Sequence, residues 1–197
     1  MDPVAAVLMA SGFSRRFGER NKLLEPFRAK PLGRYTLELA AGLAPSFAGG
    51  IFFVVSGDET GALAEGLPGI RVIRNGAPEK GQRESIRAGV EAAGEAAAYY
   101  MFFPCDQPFL DAASAGLVLE ARRQGAIVLP RCRNERGSPV LFCRTFRDEL
   151  LNLAPGEHGR DILARHPDRL IMVDIPCPPG APSPLTDIDD PESFSQY

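Results

Sequence analysis

Short apolar runs alternate with amphipathic segments along most of the chain. Each run is continuous and rich in β-branched or aromatic residues, which is typical of strands buried on both faces. The predicted strands cover residues 4–9, 51–55, 70–73, 99–103 and 126–129. The segments between them have the apolar spacing of amphipathic helices, and these predicted helices cover residues 34–43, 59–66, 82–93 and 112–123. The alternation predicts an α/β fold with a mostly parallel sheet and helices on both faces.

The pattern changes after about residue 130. We predict a strand at 138–142 that need not be parallel, helices at 144–153 and 159–165, and a late strand at 170–173. The proline-rich stretch 176–184 cannot form a regular ladder, because proline lacks the backbone donor. We find no repeat or linker, so the sequence predicts one domain over residues 1–197.

Bulk properties narrow the class of protein. The net charge of −3 argues against broad nucleic-acid binding, which favours a basic stripe. No apolar run approaches the roughly 20 residues that span a bilayer, so no membrane partner is expected. The four cysteines form no C-x-x-C pair, and we interpret them as reduced thiols of a cytoplasmic protein. The two histidines lie far from any paired cysteines, which disfavours structural zinc.

The loop after the first predicted strand combines small residues with basic ones. Small residues let backbone N–H groups approach a polyanion closely, and the bases supply positive charge. The candidate nucleotide-binding residues are Ala10, Ser11, Gly12, Phe13, Ser14, Arg16 and Lys22, with Arg15 and Gly18 beside them. The spacing matches neither a Walker loop nor the dinucleotide G-x-G-x-x-G pattern. We favour a triphosphate site over a plain strand-to-helix turn with solvated arginines.

A carboxylate, Asp106, follows the most apolar predicted strand. Ligands of open parallel sheets bind outside the carboxyl ends of the strands, so this segment and the first loop should share an edge. Mg²⁺ commonly uses one or two carboxylates together with substrate phosphates, and we predict Asp106 as its ligand. Helix capping is the alternative, but Asp111 suits that role better. Cys105 has no histidine nearby in the sequence, which gives nucleophilic catalysis little support.

Two further segments carry weaker signals. Gly81 permits close approach of a ligand to the backbone, and Ser85 can bind a ligand or cap the helix, with capping favoured by the residues alone. The acidic residues Asp187, Asp189 and Asp190 precede a proline at a predicted helix start. We interpret them as solvated capping residues, with a second metal ligand as the less favoured alternative.

Several motifs occur in the order found in one family. Residues 8–18 with 21–24 match L-A-A-G-x-S-x-R-M-G-x-x-K-L-L, and residues 85–89 match S-L-R-A-G. Residues 104–108, 137–142 and 187–192 match P-x-D-Q-P, G-x-P-V-L-F and D-I-D-x-P-E. The chain therefore resembles the molybdenum cofactor cytidylyltransferase family of the nucleotidyltransferase superfamily. Ser11 and Phe17 depart from the family's alanine and methionine, and Arg160 lies one position before the usual arginine.

The resemblance implies a Rossmann-like three-layer α/β/α fold with a mixed sheet, as in nucleotide-diphospho-sugar transferases. It implies Mg²⁺-dependent transfer of CMP from CTP to the terminal phosphate of the molybdopterin molybdenum cofactor, with Mn²⁺ able to replace Mg²⁺. Residues 10–14 and Arg16 would hold the departing phosphates, and Lys22 would neutralise the α-phosphate. Asp106 would hold the metal, while Gly81 and Ser85 would lie against ribose or base. A molybdenum hydroxylase is the implied transient recipient of the product.

Other functions stay open at this point. A guanylyltransferase using GTP with the same cofactor is one alternative, although Ser11 is nearer the cytidylyl pattern than the glycine of the guanylyl enzymes. A cytidylyltransferase acting on a sugar or polyol phosphate is another. A carrier that binds the molybdenum cofactor without catalysis is disfavoured by Arg16, Lys22 and Asp106. A purely structural protein would leave the arginine-rich glycine loop unexplained.

Overall fold

The computed structural model describes residues 2–10, 17 and 21–197 of the chain. The strands are β1 (Val4–Ala10), β2 (Pro26–Phe27), β3 (Lys30–Pro31), β4 (Gly50–Val55), β5 (Ile70–Arg74), β6 (Tyr99–Pro104), β7 (Ile127–Cys132), β8 (Glu135–Arg136), β9 (Val140–Cys143) and β10 (Leu170–Asp174). The helices are α1 (Leu32–Gly42), α2 (Asp58–Gly61), α3 (Gln82–Ala93), α4 (Ala112–Glu120), α5 (Arg147–Leu151), α6 (Gly159–Arg165) and α7 (Pro191–Gln196). Short 3₁₀ turns connect several of them.

One mixed sheet organises the described part of the chain. Its strand order is β10-β7-β9-β6-β1-β4-β5, and β8 pairs with β7. The pairs β1–β4, β1–β6, β4–β5 and β7–β10 are parallel. Strand β9 is antiparallel to both of its neighbours, β6 and β7. The predicted α/β fold with a mostly parallel mixed sheet is confirmed.

Helices cover both faces of the sheet. Successive side chains of a strand point to opposite faces, and Gly89 of α3 lies directly against Val7 of β1. A β-carbon at Gly89 would collide with the Val7 side chain, so glycine is what allows this close packing. Phe103, in register with Leu8 and therefore on the other face, packs edge-to-face on Phe47, shortly after α1. The sheet is the middle of three layers.

The predicted strands and helices are all present, but three of the helices are shortened, and α4 ends at Glu120 instead of residue 123. The segment predicted as one helix over 59–66 is α2 followed by a 3₁₀ turn at Ala62–Ala64. The segment 144–153 is a 3₁₀ turn followed by the short helix α5. Glycines at 61 and 66 explain the difference at 59–66, because glycine is a poor helix former, and Gly66 has a φ of +74°.

The prediction of four reduced cysteines is wrong for one pair. Cys132 and Cys177 form a disulfide, with their Cα atoms 5.9 Å apart. They are separated by 45 positions, but β7 and β10 are parallel neighbours, so the chain just after β10 lies beside the end of β7. Cys105 and Cys143 are free and buried. The disulfide joins β7 to residues 175–190, which we call the strap.

The strap leads back across the carboxyl edge of the sheet. It continues into α7, whose Phe194 packs edge-to-face on Phe27 and Phe17. Buried Ile188 anchors its far end in the hydrophobic core. None of the described helices has the length and apolar character needed to cross a bilayer.

Candidate active site

The two loops expected to form the site do meet at one edge of the sheet. Strands β1 and β6 are parallel neighbours, with Met9 in register with Pro104. The chain therefore leaves both strands at the same level, and the backbone N–H of Cys105 donates to the carbonyl of Met9 at 3.3 Å. This register brings the segment that contains Lys22 and the segment that contains Asp106 to one point.

A turn over residues 21–24 positions Lys22. The side chain of Asn21 accepts a hydrogen bond from the backbone N–H of Leu23 at 3.1 Å, and its amide donates to Thr60 Oγ1 at 2.8 Å. The N–H of Leu24 donates to the Asn21 carbonyl at 2.9 Å. Asparagine commonly stabilises such turns, because its side chain accepts a hydrogen bond from the backbone two residues further along the chain. Leu23 is buried in the core, which directs the neighbouring Lys22 towards the site.

The ammonium group of Lys22 lies between two carboxylates. Its Nζ donates to Asp106 Oδ2 at 2.7 Å and to Asp189 Oδ1 at 2.8 Å. A further hydrogen bond runs to the carbonyl oxygen of Ile188 at 2.9 Å. The exposed fraction of the side chain is only 14% for Lys22 and 19% for Asp106, against 52% for Asp189. We call Lys22, Asp106 and Asp189 the charged junction.

Asp106 is not used as a helix cap. Asp111 takes that role at the start of α4, where its side chain accepts from the backbone N–H of Ser114 at 2.7 Å. The backbone carbonyl of Asp106 accepts from the N–H of Ile188 at 2.9 Å. Its Oδ1 atom is buried and has no hydrogen-bond partner among the described residues. Such an atom is costly to bury unless a ligand completes its coordination.

The strap is held against this segment by Gln107. The Gln107 side-chain amide donates to Asp187 Oδ1 at 2.9 Å and to the Leu185 carbonyl at 3.3 Å. Gln107 itself is 3% exposed. Because Ile188 is anchored in the core, its two neighbours Asp187 and Asp189 are fixed on either side of it. The strap therefore brings carboxylates to the carboxyl ends of β1 and β6.

Negative charge accumulates at this point. Partial desolvation raises the pKa of Asp187 to about 6, and the nearby Asp106 carboxylate adds to the effect. Burial alone would lower the pKa of Lys22, but Asp106, and then Asp189, more than offset that cost and raise it. Lys22 is therefore a firmly charged ammonium, and the described residues place the carboxylates of Asp106, Asp187 and Asp189 around it.

The residues of the charged junction fit a divalent cation. The described residues contain no group of three or more histidine, cysteine or acidic side chains arranged to hold a metal. Mg²⁺ does not require such a group, since it commonly takes one or two carboxylates and completes its shell with phosphate and water. The buried Oδ1 of Asp106, unpartnered among the described residues, and the nearby carboxylate of Asp189 meet that description.

Most of the predicted phosphate loop lies outside the described residues. This applies to Ser11, Gly12, Phe13, Ser14, Arg15, Arg16 and Gly18. Ala10 is the last residue of β1 and is buried, 2% exposed. Phe17 is buried against Phe194 of α7, with ring centroids 5.4 Å apart. The roles assigned to the loop residues stay predictions.

Gly81 and Ser85 lie where α3 begins. Gly81 precedes the helix with a φ of +91°, a conformation that favours glycine. Ser85 is 2% exposed, and its hydroxyl accepts from Asn75 Nδ2 at 3.0 Å. Ser85 therefore lies inside the first turns of α3 and is not the N-cap, which was the role its sequence context favoured. Its contact with a nucleotide stays a prediction.

A cavity of about 390 Å³ opens beside the charged junction. Met9 and Pro104, at the ends of β1 and β6, contribute to its lining. Its walls are largely apolar, with side chains from β6, β7, β9, α3, α5 and α6 that include Phe102, Leu129 and Phe142. Polar lining comes from Gln82, Arg136, Ser138, His158 and Arg160. The volume lies within the usual range of small-molecule pockets.

Sequence reasoning missed two parts of this site. Asp189 was interpreted as a solvated cap, although it is an ion-pair partner of Lys22. The only sequence signal for it is its position within the D-I-D-x-P-E match. The cavity was not predicted, because its apolar residues are indistinguishable in sequence from ordinary core residues.

Solved structures with the same fold are found across nearly the full length. Rv0371c from Mycobacterium tuberculosis H37Rv has a TM-score of 0.78 at 22% identity, covering 99% of this chain and 97% of that one. A complex of Rv0371c with manganese has a TM-score of 0.71 at 19% identity, covering 100% and 97%. The 4-diphosphocytidyl-2C-methyl-D-erythritol synthase of Anaerococcus prevotii DSM 20548 has a TM-score of 0.75 at 13% identity, covering 99% and 96%. These identities support the fold alone.

Sequence comparison gives the family. No curated protein matches the chain, but the family model of the MobA-like NTP transferase domain matches residues 6–170. That match includes most of β1, the loop after it, Lys22, Asp106 and the strands that line the cavity, and it ends before the strap. The chain therefore belongs to the MobA-like NTP transferase domain family.

Proposed function

We propose that the protein transfers CMP from CTP to the terminal phosphate of the molybdopterin molybdenum cofactor. An oxygen of the acceptor phosphate attacks the α-phosphorus of CTP, and the bond from that phosphorus to the bridging oxygen of pyrophosphate breaks. The new bond is a phosphoanhydride, and the leaving group is pyrophosphate. Transfers of this kind need positioning and charge stabilisation more than covalent help from the protein.

The meeting of Lys22 with Asp106 and Asp189 is the observation that carries this proposal. The ammonium of Lys22 lies 2.7 Å from a carboxylate oxygen of Asp106 and 2.8 Å from one of Asp189, at the carboxyl ends of the parallel strands β1 and β6. This edge is where α/β sheets bind nucleotides. Lys22 would neutralise charge on the α-phosphate during the displacement, and the carboxylates would hold the divalent cation of the triphosphate.

The donor set of the junction favours Mg²⁺, with Mn²⁺ as a substitute. Asp106 would be the principal ligand and Asp189 the second carboxylate, and the unpartnered Oδ1 of Asp106 marks this carboxylate as short of one partner. The ion would supply charge stabilisation at the phosphate oxygens. The manganese complex of Rv0371c supports a divalent cation in a protein of this fold.

The remaining site residues receive roles by the same reasoning. The backbone amides of residues 10–14 and the guanidinium of Arg16 would bind the β- and γ-phosphates that depart. Gly81 and Ser85 would lie against the ribose or the base. Cytosine is favoured by the residue Ser11, and a cytidylyl-transferring fold neighbour, the 4-diphosphocytidyl-2C-methyl-D-erythritol synthase, is consistent with it.

The cavity beside the junction favours a planar acceptor over a polyol. Walls such as Phe102, Phe142 and Leu129 offer no hydrogen bonds to a chain of hydroxyl groups, but they suit the faces of a fused ring. Arg136 and Arg160 would bind anionic groups. A pterin ring with a terminal phosphate matches this division between apolar walls and basic lining residues. The product would then be available to a molybdenum hydroxylase.

Pyrophosphate release tests the proposal. Purified protein with Mg²⁺ is offered CTP or GTP, each with molybdopterin cofactor or with a polyol phosphate. We expect release with CTP and the molybdopterin cofactor. Release with GTP but not CTP would show that the donor base is guanine. Release with the polyol phosphate but not the molybdopterin cofactor would show that the acceptor is a polyol phosphate. No release with any pair would support a non-catalytic carrier of the cofactor.

A further inference from the structure

The surroundings of the Lys22 ammonium are those of a hard cation. Oxygens of Asp106, Asp189 and Ile188 lie 2.7, 2.8 and 2.9 Å from Nζ. Two of these groups are carboxylates and the third is a backbone carbonyl. Carboxylate and carbonyl oxygens are also the groups that bind hard divalent cations in proteins. The ammonium thus lies where a metal ion shared by these oxygens of Asp106 and Asp189 would lie.

Lys22 and a divalent ion would compete for the same two carboxylates. The carboxylates of Asp106 and Asp189 contribute two negative charges, and Lys22 returns one positive charge. A divalent ion that arrives alone would face the ammonium at close range, in a pocket where Lys22 and Asp106 are largely buried. Like charges at such a separation repel strongly when water is partly excluded. A triphosphate would change this balance, because it offers the ammonium a new anionic partner.

We propose that Lys22 holds the divalent-cation position in the nucleotide-free protein and leaves it only when a triphosphate binds. The ammonium would then move from the two carboxylates to the phosphate, and the carboxylates would become available to the metal ion. The inference rests on the proposed function, because it assigns the nucleotide as the second partner of Lys22. Its consequence is ordered binding, in which the metal ion enters with the nucleotide and the free ion binds weakly.

Titration with Mn²⁺ alone tests the exchange without any turnover. Free Mn²⁺ is measured by electron paramagnetic resonance in the wild type and in Lys22→Met and Lys22→Gln. The glutamine variant keeps an N–H donor for Asp106, so it guards against a folding failure of the methionine variant. We expect both neutral variants to bind Mn²⁺ about tenfold more tightly or better, because a unit charge has been removed beside a divalent ion.

Three control variants give the experiment its specificity. Lys22→Arg keeps the charge, so it should bind Mn²⁺ as weakly as the wild type. Lys30→Met removes another lysine that pairs with a carboxylate, Glu38, and should also leave Mn²⁺ binding unchanged. Adding Asp106→Asn to Lys22→Gln should abolish the gain.

Several outcomes would overturn the exchange. Neutral variants that bind Mn²⁺ no better than the wild type would show that the ammonium does not compete. An equal gain in Lys22→Arg would show that charge is not the cause, and a gain that survives Asp106→Asn would put the ion elsewhere. None of these results depends on transfer activity. A failure of the proposed function would instead appear as absent pyrophosphate release by the wild type.

Discussion

The charged junction and the apolar cavity share one edge of the sheet but are built by opposite means. The junction depends on three side chains from distant segments, held together by hydrogen bonds of 2.7–2.8 Å. The cavity is lined by side chains from strands and helices that also form the core. A few polar contacts determine the first region, whereas summed packing determines the second. Substitutions should therefore affect chemistry sharply at the junction and affect acceptor affinity by degrees at the cavity.

The largest effect should follow loss of the charge on Asp106. Asp106→Asn keeps the shape of the side chain but removes the charge that pairs with Lys22 and that, in the proposed function, binds the divalent cation. Loss of one electrostatic element of this kind commonly lowers the rate by about 10²–10³. We expect that loss in kcat for pyrophosphate release, with the far-ultraviolet circular dichroism spectrum unchanged.

Asp111→Asn is the matched control for this change. Asp111 lies five positions further along the chain and caps α4, and asparagine is an equally good N-cap. The control should therefore keep its turnover and its thermal midpoint. Equal loss of activity in both variants would show that the effect is not specific to the charged junction.

A substitution where α3 packs on β1 should lower the free energy of unfolding without acting directly on the transfer reaction. In Gly89→Ala, the new methyl group would collide with Val7, and overpacking of a core typically costs about 1–3 kcal/mol. In Gly116→Ala in α4, no described atom outside the helix's own backbone and the two chain neighbours lies within 4 Å of the new β-carbon, so this variant should be neutral or stabilising. Urea denaturation measures both variants. A stable Gly89→Ala protein would contradict the close packing of α3 on β1.

A basic residue of the cavity should affect the acceptor alone. Arg160→Gln removes a charge from the polar lining, and we expect the KM for the molybdopterin cofactor to rise about tenfold, as for loss of one charged hydrogen bond. The KM for CTP should stay unchanged. Arg169→Gln, at an exposed arginine paired with Asp168, serves as the control. A rise in the KM for CTP would mean that the two regions are not separate.

The smallest effect concerns pH and Asp187. Its pKa is raised from 3.8 to about 6 in the folded protein, so the folded state binds more protons than the unfolded state between these values. Stability of the metal-free protein should therefore fall as the pH rises through that window. Asp187→Asn should remove this penalty, stabilising the protein by about 1 kcal/mol at pH 8, a figure reduced for solvent screening.

A matching measurement at pH 4 tests whether the charge on Asp187 causes the stabilisation. At pH 4 the wild-type carboxyl is largely protonated in the folded state, so the variant should gain little there. Thermal unfolding at both pH values, with a chelator present, measures the difference. A stabilisation that is equal at pH 4 and pH 8 would show that the charge of Asp187 is not responsible.

The parallel part of the fold could be predicted because its signals are local. Strands β1, β4 and β6 are continuous apolar runs, and Gln82–Ala93 has the spacing of an amphipathic helix. Strand β9 was predicted as a strand without a direction, since nothing within residues 140–143 indicates antiparallel pairing on both sides. Element type depends on neighbouring residues, whereas strand order depends on the whole chain.

In the candidate site, too, some residues could be identified from their local sequence, whereas the contacts between them depend on the whole chain. Lys22 and Asp106 could be selected because each follows a strong apolar strand. The partnership of Lys22 with Asp189 spans 167 positions, and an acidic residue before a helix has an ordinary explanation as a cap. The disulfide between Cys132 and Cys177 was missed for a related reason, because only the adjacency of β7 and β10 brings the two cysteines together.

The strap has a consequence for how the protein is made. Lys22 is separated from Asp106 by 84 positions and from Asp189 by 167, so a ribosome completes the sheet edge long before it delivers the second carboxylate. Until the strap emerges, Ile188 cannot fill its position in the core and Asp106 lacks its backbone partner. The complete charged junction can thus form only after residues 175–190 have emerged, when all ten strands of the described residues have already been translated.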